Sequence, residues 1–308
     1  MSEKVIEVQD LVKVYKDVTA VDKISFDVYQ GEIFSLVGPN GAGKTTTVEI
    51  LECLRNPTEG DAKVLGFDVR KDEKEIKKRI GVMPQEFNAF ERLTVKENVE
   101  LIAKIYGVKP DIENILRELG VWEAKNRQFH KLSGGMQRRV GICMALASDP
   151  ELLFLDEPTT GLDPQARKET WEVIRTLKKM GKTVFLTSHY MEEVERLCDR
   201  AGVMVKGKLI ATDKIRNLIS KYGGGIKVSV EGRNIEKAEK MLKSFTEKVL
   251  HEKNTVIGKF KTREEASKAL AQLYQLSDGY KIEITEGGMD DVFSQLTGGR
   301  VDDRGELI

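Results

Sequence analysis

The stretch IFSLVGPNGAGKTT, residues 33–46, sets an apolar run of strand length against a loop of three glycines that closes on a lysine and threonines. Apolar run, glycine loop and helix-forming segment in that order read as strand, turn and helix. Within it, GPNGAGKT (38–45) satisfies G-x-x-x-x-G-K-[ST]. In that pattern backbone N–H groups curl around phosphates, the lysine brings a point charge to the β and γ positions, and the hydroxyl faces magnesium. Gly38, Pro39, Asn40, Gly41, Ala42, Gly43, Lys44, Thr45 and Thr46 are the expected phosphate site. A glycine turn with no ligand has no need of the strand before it and the helix after it.

Further along, ELLFLDEP (151–158) is an apolar strand ending in two carboxylates. Asp156 is placed to hold magnesium through water, and Glu157 to orient and deprotonate an attacking water. TVFLT (183–187) is a third strand, and His189 follows its end. In open parallel sheets ligands sit outside those carboxyl ends, where a histidine can bond a γ-phosphate. Gln85, in GVMPQEFNAFERLTVKEN, lies between a strand-like and a helical segment; its amide can reach a magnesium site and whatever moves the helical part. Tyr15 ends an N-terminal strand and can stack an adenine ring, worth about 1–3 kcal/mol per base in nucleic-acid cases. Each of these has an ordinary reading alone: a solvated strand end, a satisfied histidine, a turn glutamine, a half-buried tyrosine. Beside a phosphate loop they form one constellation.

LSGGMQRR (132–139) raises a different question, because it is a second glycine-preceded helix start. Ser133 is a good N-cap for a helix running to Ala147. The strand order sets this helix away from the first loop, so its N-terminal dipole and bare N–H groups serve nothing in an isolated chain. They become useful if they face another subunit's ATP.

Around these motifs, residues 3–37 alternate as small antiparallel strands, clearest at Ile24, Phe26 and Val28, and feed the buried strand. Lys44 to Arg55 reads as helix, Ala62–Leu65 as strand, and KDEKEIKKR (71–79) as a solvated helix face. Thr94 and Glu97 fit a capping box that starts a mostly helical stretch over 94–147. Strands at 152–156 and 183–187 around a helix from Pro164 to Met180 imply a parallel sheet. Gly223 to Gly225 break the chain, dividing a domain over 1–222 from one over 226–308. The second reads as strand (226–231), helix (235–247), one or two strands (248–260), helix (263–276), strand (280–285) and helix (289–297), a succession that resembles a split βαβ, ferredoxin-like unit.

Composition narrows the function. Lysine plus arginine, 50, equals aspartate plus glutamate, 50, so no global field draws the 308-residue chain to nucleic acid or anionic lipid. Cys53, Cys143 and Cys198 are scattered and odd in number, fitting a reducing compartment. MSEKVIEVQD lacks the features of a signal peptide, and no run reaches the roughly 18 apolar residues of a membrane helix. A cytoplasmic chain, soluble when isolated, is expected. His130 and His251 form no ligand-spaced cluster with His189, so no structural metal is assigned.

The whole order of motifs, Tyr15 in LVKVYKDVTAV, GPNGAGKTT, Gln85, LSGGMQ, LLFLDEP, GLD at 161–163 and His189, resembles the nucleotide-binding domain of an ATP-binding cassette (ABC) ATPase over residues 3–222. The resemblance implies an α/β P-loop fold with an antiparallel β subdomain and a helical signature subdomain, ahead of the small α+β domain. It implies ATP and Mg2+ as cofactors, with Thr45, Gln85 and Asp156 at the metal, and Lys44, Gln85, Glu157 and His189 in catalysis. It also implies two cassettes paired head to tail, alike or paralogous. Leu132, Ser133, Gly134, Gly135, Met136 and Gln137 would then face the partner's ATP, and Asp163 would link the two sites. A separate transmembrane permease would dock near Gln85, Glu86, Phe87 and Asn88, holding the chain at the cytoplasmic side of the membrane. TEGDAKVLGFDV, PQEFNAFERLTVKEN and MDDVFSQLTGG (289–299) look like the ABC-2 type exporters of drugs, polysaccharides and lipids. An importer subunit and a soluble cassette acting on ribosomes or DNA are the alternatives. The single cassette and the absence of a basic stripe argue against the latter, and no nucleic acid is expected.

Overall fold

In the computed structural model, residues 3–232, 235–260, 262–276, 279–302 and 305–307 are described; the outer ends of the two expected domains, Met1 and Ile308, lie outside them. The alternating N-terminal sequence forms β1 (Lys4–Tyr15) and β2 (Val18–Tyr29), paired antiparallel. Their inward residues Val8, Leu11, Ile24, Phe26 and Val28 are buried. β3 (Ile33–Val37) is buried at every position, as a strand covered on both faces must be. The glycine loop then opens α1 (Lys44–Leu51). The helical pattern runs on to Arg55, but the helix stops four residues earlier, where Cys53 takes a left-handed φ of 57°. β4 (Glu59–Val64) and β5 (Phe67–Asp68) complete a sheet ordered β2-β1-β4-β5.

The charged run gives α2 (Glu73–Lys77), which exposes Glu73 and sinks Ile76 fully into the core. β6 (Ile80–Met83) leads to the helical region, α3 (Val95–Tyr106), α4 (Ile112–Glu118) and α5 (Gly134–Leu146). α3 begins at the expected capping box: the Glu97 N–H donates to Thr94 Oγ1 at 3.2 Å, and the Thr94 N–H donates to the Glu97 carboxylate at 2.7 Å. β7 (Leu152–Asp156), α6 (Pro164–Lys179), β8 (Thr183–Ser188), α7 (Met191–Leu197), β9 (Arg200–Val205) and β10 (Lys208–Lys214) follow.

The central sheet is ordered β10-β9-β3-β8-β7-β6, with β9, β3, β8, β7 and β6 mutually parallel. Phe26, Phe34, Phe154 and Phe185 form an aromatic stack at its centre, with neighbouring ring centroids 5.4–6.2 Å apart. The carboxyl ends of β3, β8, β7 and β6 therefore stand side by side. Those ends carry, in that spatial order, the glycine loop, His189, the Asp156–Glu157 pair and Gln85.

By its contacts the chain divides into two compact units, Met1–Asp213 with Val301–Ile308, and Lys214–Arg300. The second contains α8 (Ile215–Tyr222), β11 (Ile226–Glu231), α9 (Glu236–Phe245), β12 (Val249–Glu252), β13 (Thr255–Phe260), α10 (Arg263–Gln275), β14 (Lys281–Glu286) and α11 (Met289–Thr297). Its sheet is ordered β12-β13-β11-β14 with antiparallel pairs, the ferredoxin-like order of a βαββαβ chain. Val228, Val230, Val256 and Phe260 on one face meet Ala238 and Leu242 of α9 and Ala269 and Leu273 of α10. Among the described residues no helix is long and apolar enough to cross a membrane.

Candidate active site

Two glycines explain why the phosphate loop has its shape. A Cβ on Gly38 would lie 2.1 Å from the Met204 carbonyl oxygen, and one on Gly43 would lie 2.3 Å from the Ala20 carbonyl oxygen. Gly43 also takes φ of 101°, a conformation that side chains oppose. These approaches fold the loop tightly over the end of β3 and leave α1 to start at Lys44. The Lys44 ammonium donates to the carbonyls of Gly38 at 2.8 Å and Pro39 at 3.1 Å. It is buried, and desolvation holds its pKa below the usual lysine value although Glu157 and Asp156 oppose the shift. At the loop's tip, the N–H of Asn40 donates to the carbonyl of Gly305 at 2.7 Å.

Across the sheet, β7 delivers Asp156 and Glu157. The Glu157 N–H donates to Thr187 Oγ1 at 3.0 Å, and that hydroxyl in turn donates to the Asp156 carboxylate. Burial pushes the Asp156 pKa up, against the Thr187 and Thr45 hydroxyls and the Lys44 charge that favour its ionised form. Thr45 and Asp156 are thus brought together, with Gln85 one carboxylate away. Glu157 sits at φ of 47°, a left-handed backbone that costs a non-glycine residue about 1–2 kcal/mol. The strain aims its side chain at a cluster: Glu157 Oε2 accepts from Thr160 Oγ1 at 3.0 Å and Gln85 Nε2 at 3.3 Å, while Oε1 faces Lys44 Nζ at 3.7 Å. Burial alone would raise its pKa, but His189, Lys44 and Thr160 outweigh it and hold the carboxyl below the ordinary value. An ionised carboxylate is what a general base requires.

His189 Nδ1 is 3.3 Å from Glu157 Oε2, yet both ring nitrogens are buried without an aligned hydrogen-bond partner. Its ring packs on Tyr190, centroids 4.1 Å apart. An imidazole sealed from water with both nitrogens unsatisfied fits a ligand that supplies an acceptor, such as a phosphate oxygen. The polar donors of the loop, Lys44 and His189 therefore fit a nucleotide triphosphate, and Thr45, Asp156 and Gln85 fit a hard cation beside it.

Ser133 caps α5 as expected, its hydroxyl accepting the Met136 N–H at 3.4 Å. Gly135 is buried against α6, where a Cβ would meet Ala166 Cβ at 2.8 Å, whereas Ser133 and Gly134 are exposed. Leu132 is buried, and Gln137 donates to the Phe129 carbonyl at 3.3 Å. Among the described residues no hydrogen bond or ion pair joins 132–137 to the phosphate loop. Asp163, exposed, caps α6 by accepting the Gln165 and Ala166 N–H groups at 3.0 and 2.9 Å. Tyr15 is half-buried at the end of β1, with Lys13 and Arg55 over its ring at 5.0 and 5.5 Å. Gln85, Glu86, Phe87 and Asn88 line one groove with Gln137 and Arg138 of α5. Arg138 donates to the Gln85 carbonyl at 2.9 Å, which ties that segment to the signature helix.

Four participants escaped the sequence reading. Thr187 bridges the two acids, and Thr160 holds Glu157. Asn98 is fully buried and holds the loop before α3 through Phe90, Leu93 and Thr94. Glu193 is 1% exposed and accepts from both Thr159 and Trp171. A polar residue inside an otherwise apolar helix face is the only sequence signal that Asn98 and Glu193 offer.

The model of the ABC transporter family matches residues 21–160. The chain is 33% identical to the daunorubicin/doxorubicin resistance ATP-binding protein DrrA of Streptomyces peucetius, covering 98% of this chain and 94% of that one. It is 36% identical to the Nod factor export ATP-binding protein I of Rhizobium etli, covering 95% and 93%. It is 40% identical to the linearmycin resistance ATP-binding protein LnrL of Bacillus subtilis, covering 74% and 76%. Among solved structures, a dimeric bacterial ABC transporter cassette superposes with a TM-score of 0.61 at 29% identity, covering 68% of this chain and 98% of that one.

Proposed function

The chain belongs to the ABC transporter family as an ATP-hydrolysing, nucleotide-binding subunit of exporter type, and we propose that the cluster around Glu157 is its hydrolytic centre. The observation that carries this is the convergence of Lys44, Gln85, Thr160 and His189 on one buried, ionised carboxylate. Glu157 orients and deprotonates the attacking water, Lys44 offsets the γ-phosphate charge, and His189 donates to a γ-phosphate oxygen. Thr45, Asp156 and Gln85 would hold Mg2+, which neutralises phosphate charge when bound. The loop Gly38–Thr46 cradles the phosphates, and Tyr15 stacks the adenine.

The exposed Ser133 and Gly134 have no part in their own chain's phosphate site, which supports a head-to-tail pair of cassettes. Leu132–Gln137 of each cassette then completes the ATP site of the other, and Asp163 links the two. Loss of the bridging γ-phosphate reopens the pair. The groove at Gln85–Asn88 joins the acid cluster to the helical region, so it suits a permease helix that is moved by this opening. The chain then works at the cytoplasmic face of the membrane through that permease, exporting a drug-like, polysaccharide or lipid molecule.

Affinity purification in mild detergent from the native cells, with mass spectrometry of what co-purifies, tests the reading. Recovery of a polytopic membrane protein is the expected result. Recovery of ribosomal or DNA-bound proteins instead would keep the ATP chemistry and overturn the transport role.

A further inference from the structure

The sheet of the second unit has one face filled by α9 and α10 and the other only partly covered, by α11, and the charges on this more open face are arranged unevenly. Alternation places Lys227 and Ser229 of β11, and Ile257 and Lys259 of β13, opposite the buried Val228, Val230, Val256 and Phe260. The register sets Lys227 directly across from Lys259. The Lys259 N–H donates to the carbonyl of Lys248 at 2.9 Å, so three lysines stand in one row across three neighbouring chain segments. Like charges directly opposed on adjacent strands destabilise a sheet. Folding alone gives no reason to align them.

These lysines line a cleft of about 410 Å³ between the open face and α11, with Arg300 as a fourth cation. Asp291, paired with Lys227, is the one acid of the lining. Among the described residues Lys248, Lys259 and Arg300 have no ion pair. At the far end of the same face the charges are matched: Lys281 lies 2.9 Å from Glu283 and 4.0 Å from Glu231. Leu250 and Ile257 give the cleft an apolar floor, and Ser294 offers a neutral hydroxyl.

We propose that this cleft is a binding site for a small polyanion, a soluble molecule bearing at least two phosphate or carboxylate charges and a short apolar part. The size is that of a small-molecule pocket. A concave site walled by a helix suits a soluble ligand better than a flat membrane surface. Bound anion screens the repulsion among Lys227, Lys248 and Lys259, so occupancy stabilises the unit that holds it.

The test uses the full chain saturated with ADP, so that the phosphate loop is filled, and inorganic pyrophosphate as the probe. Calorimetric titration is expected to show one site per chain, weakened at least about tenfold in Lys248→Gln/Lys259→Gln because two charge-assisted contacts are lost. Pyrophosphate is also expected to raise the melting temperature of the parent and not of the variant. Lys259→Gln alone is the second variant, with an intermediate loss expected. The proposal is overturned if pyrophosphate neither releases heat nor shifts the parent's melting temperature, or if the variants bind it as the parent does. Sedimentation with phosphatidylglycerol vesicles separates the two sources of phosphate: lysine-dependent vesicle binding without a pyrophosphate response would assign the row to a membrane surface instead.

Discussion

The Lys44 ammonium stands 3.7 Å from the Glu157 carboxylate, with the two side chains only 5% and 6% exposed. One belongs to the loop after β3 and the other to the end of β7, two strands away in the sheet. The pair therefore joins the cation proposed to meet the phosphates to the acid proposed to meet the water. Removing either partner leaves a buried, uncompensated charge, which is more damaging than the modest worth of the pair itself.

Glu157→Gln keeps the shape and the contact with Thr160 but cannot accept a proton. ATP binding is expected to persist while turnover falls by something like 10²–10⁴-fold, as for a lost general base. A chain trapped as an ATP-bound dimer on size exclusion, with single-turnover hydrolysis nearly abolished, is the predicted outcome. Parental turnover in this variant would remove Glu157 from its assigned role.

Lys44→Ala acts at the other end of the pair. Nucleotide affinity is expected to drop at least about tenfold, through loss of a charge-assisted contact to phosphate. Glu157 has a folded-state pKa held below its unfolded value, so it contributes stability above the unfolded pKa that is lost as pH falls through the folded one. Without the lysine that contribution shrinks. The variant's melting temperature should therefore lie closer to the parent's at strongly acidic pH than at neutral pH.

Much of this site could be read from the chain because its elements are local: a glycine loop between strand and helix, carboxylates at a strand end, a serine before a helix. The last two strands of the central sheet could not. β9 and β10, RAGVMV and KLIATDK, carry none of the chemical motifs from which the rest was read, although Lys206–Gly207 between them, both at positive φ, make a turn. Thr187 and Glu193 were hidden for another reason. Their roles come from hydrogen bonds spanning 30 or more residues, and a lone threonine or glutamate looks the same on a surface as at a buried junction.

Asn98 holds the loop that carries Phe90 to Thr94. Its side chain accepts the Phe90 N–H at 2.9 Å and donates toward the carbonyls of Thr94 at 3.0 Å, Phe90 at 3.1 Å and Leu93 at 3.3 Å. Asn98→Ala leaves buried backbone groups unpaired, a loss of about 1–3 kcal/mol. Hydrogen exchange over 88–94 should quicken. Because this loop continues the groove proposed for the permease, stimulation of ATPase activity by that partner should fall more than the intrinsic rate.

Glu52 is buried near Asp156 and Glu49, and its pKa is pushed up to about 8, chiefly by burial, from an ordinary value of 4.5. Between those values the folded chain binds the proton more tightly than the unfolded one, so stability falls as pH rises from about 4.5 to about 8. Glu52→Gln removes that slope. Its melting temperature should match the parent's near pH 4.5 and exceed it above pH 8 by several degrees, at about 2–4 °C per kcal/mol for a chain of this class. Parallel curves for the two proteins across the range would rule out a buried, protonated Glu52.

Glu193 reaches three segments with one carboxylate oxygen: Thr159 Oγ1 donates to it at 2.7 Å and Trp171 Nε1 at 3.0 Å, while its own helix begins two residues after His189. Thr159 lies two residues beyond Glu157. The oxygen therefore ties the segment behind the proposed general base to the helix that follows the histidine, without touching the side chain of Glu157 or His189. Burial holds its pKa above the usual glutamate range, against the Ser188, Thr159 and Trp171 donors, and the two bonds that Oε1 accepts ask for an acceptor rather than a charge. That distinction sets the experiment. Glu193→Ala removes the acceptor and should lower kcat about tenfold or more with KM for ATP nearly unchanged, since misplacing reacting groups by an ångström is that costly. Glu193→Gln retains a carbonyl oxygen for Thr159 and Trp171 and should recover most of the rate. If the glutamine variant is as slow as the alanine one, the charge matters and the positioning account fails; if both match the parent, the junction has no part in aligning Glu157 with His189.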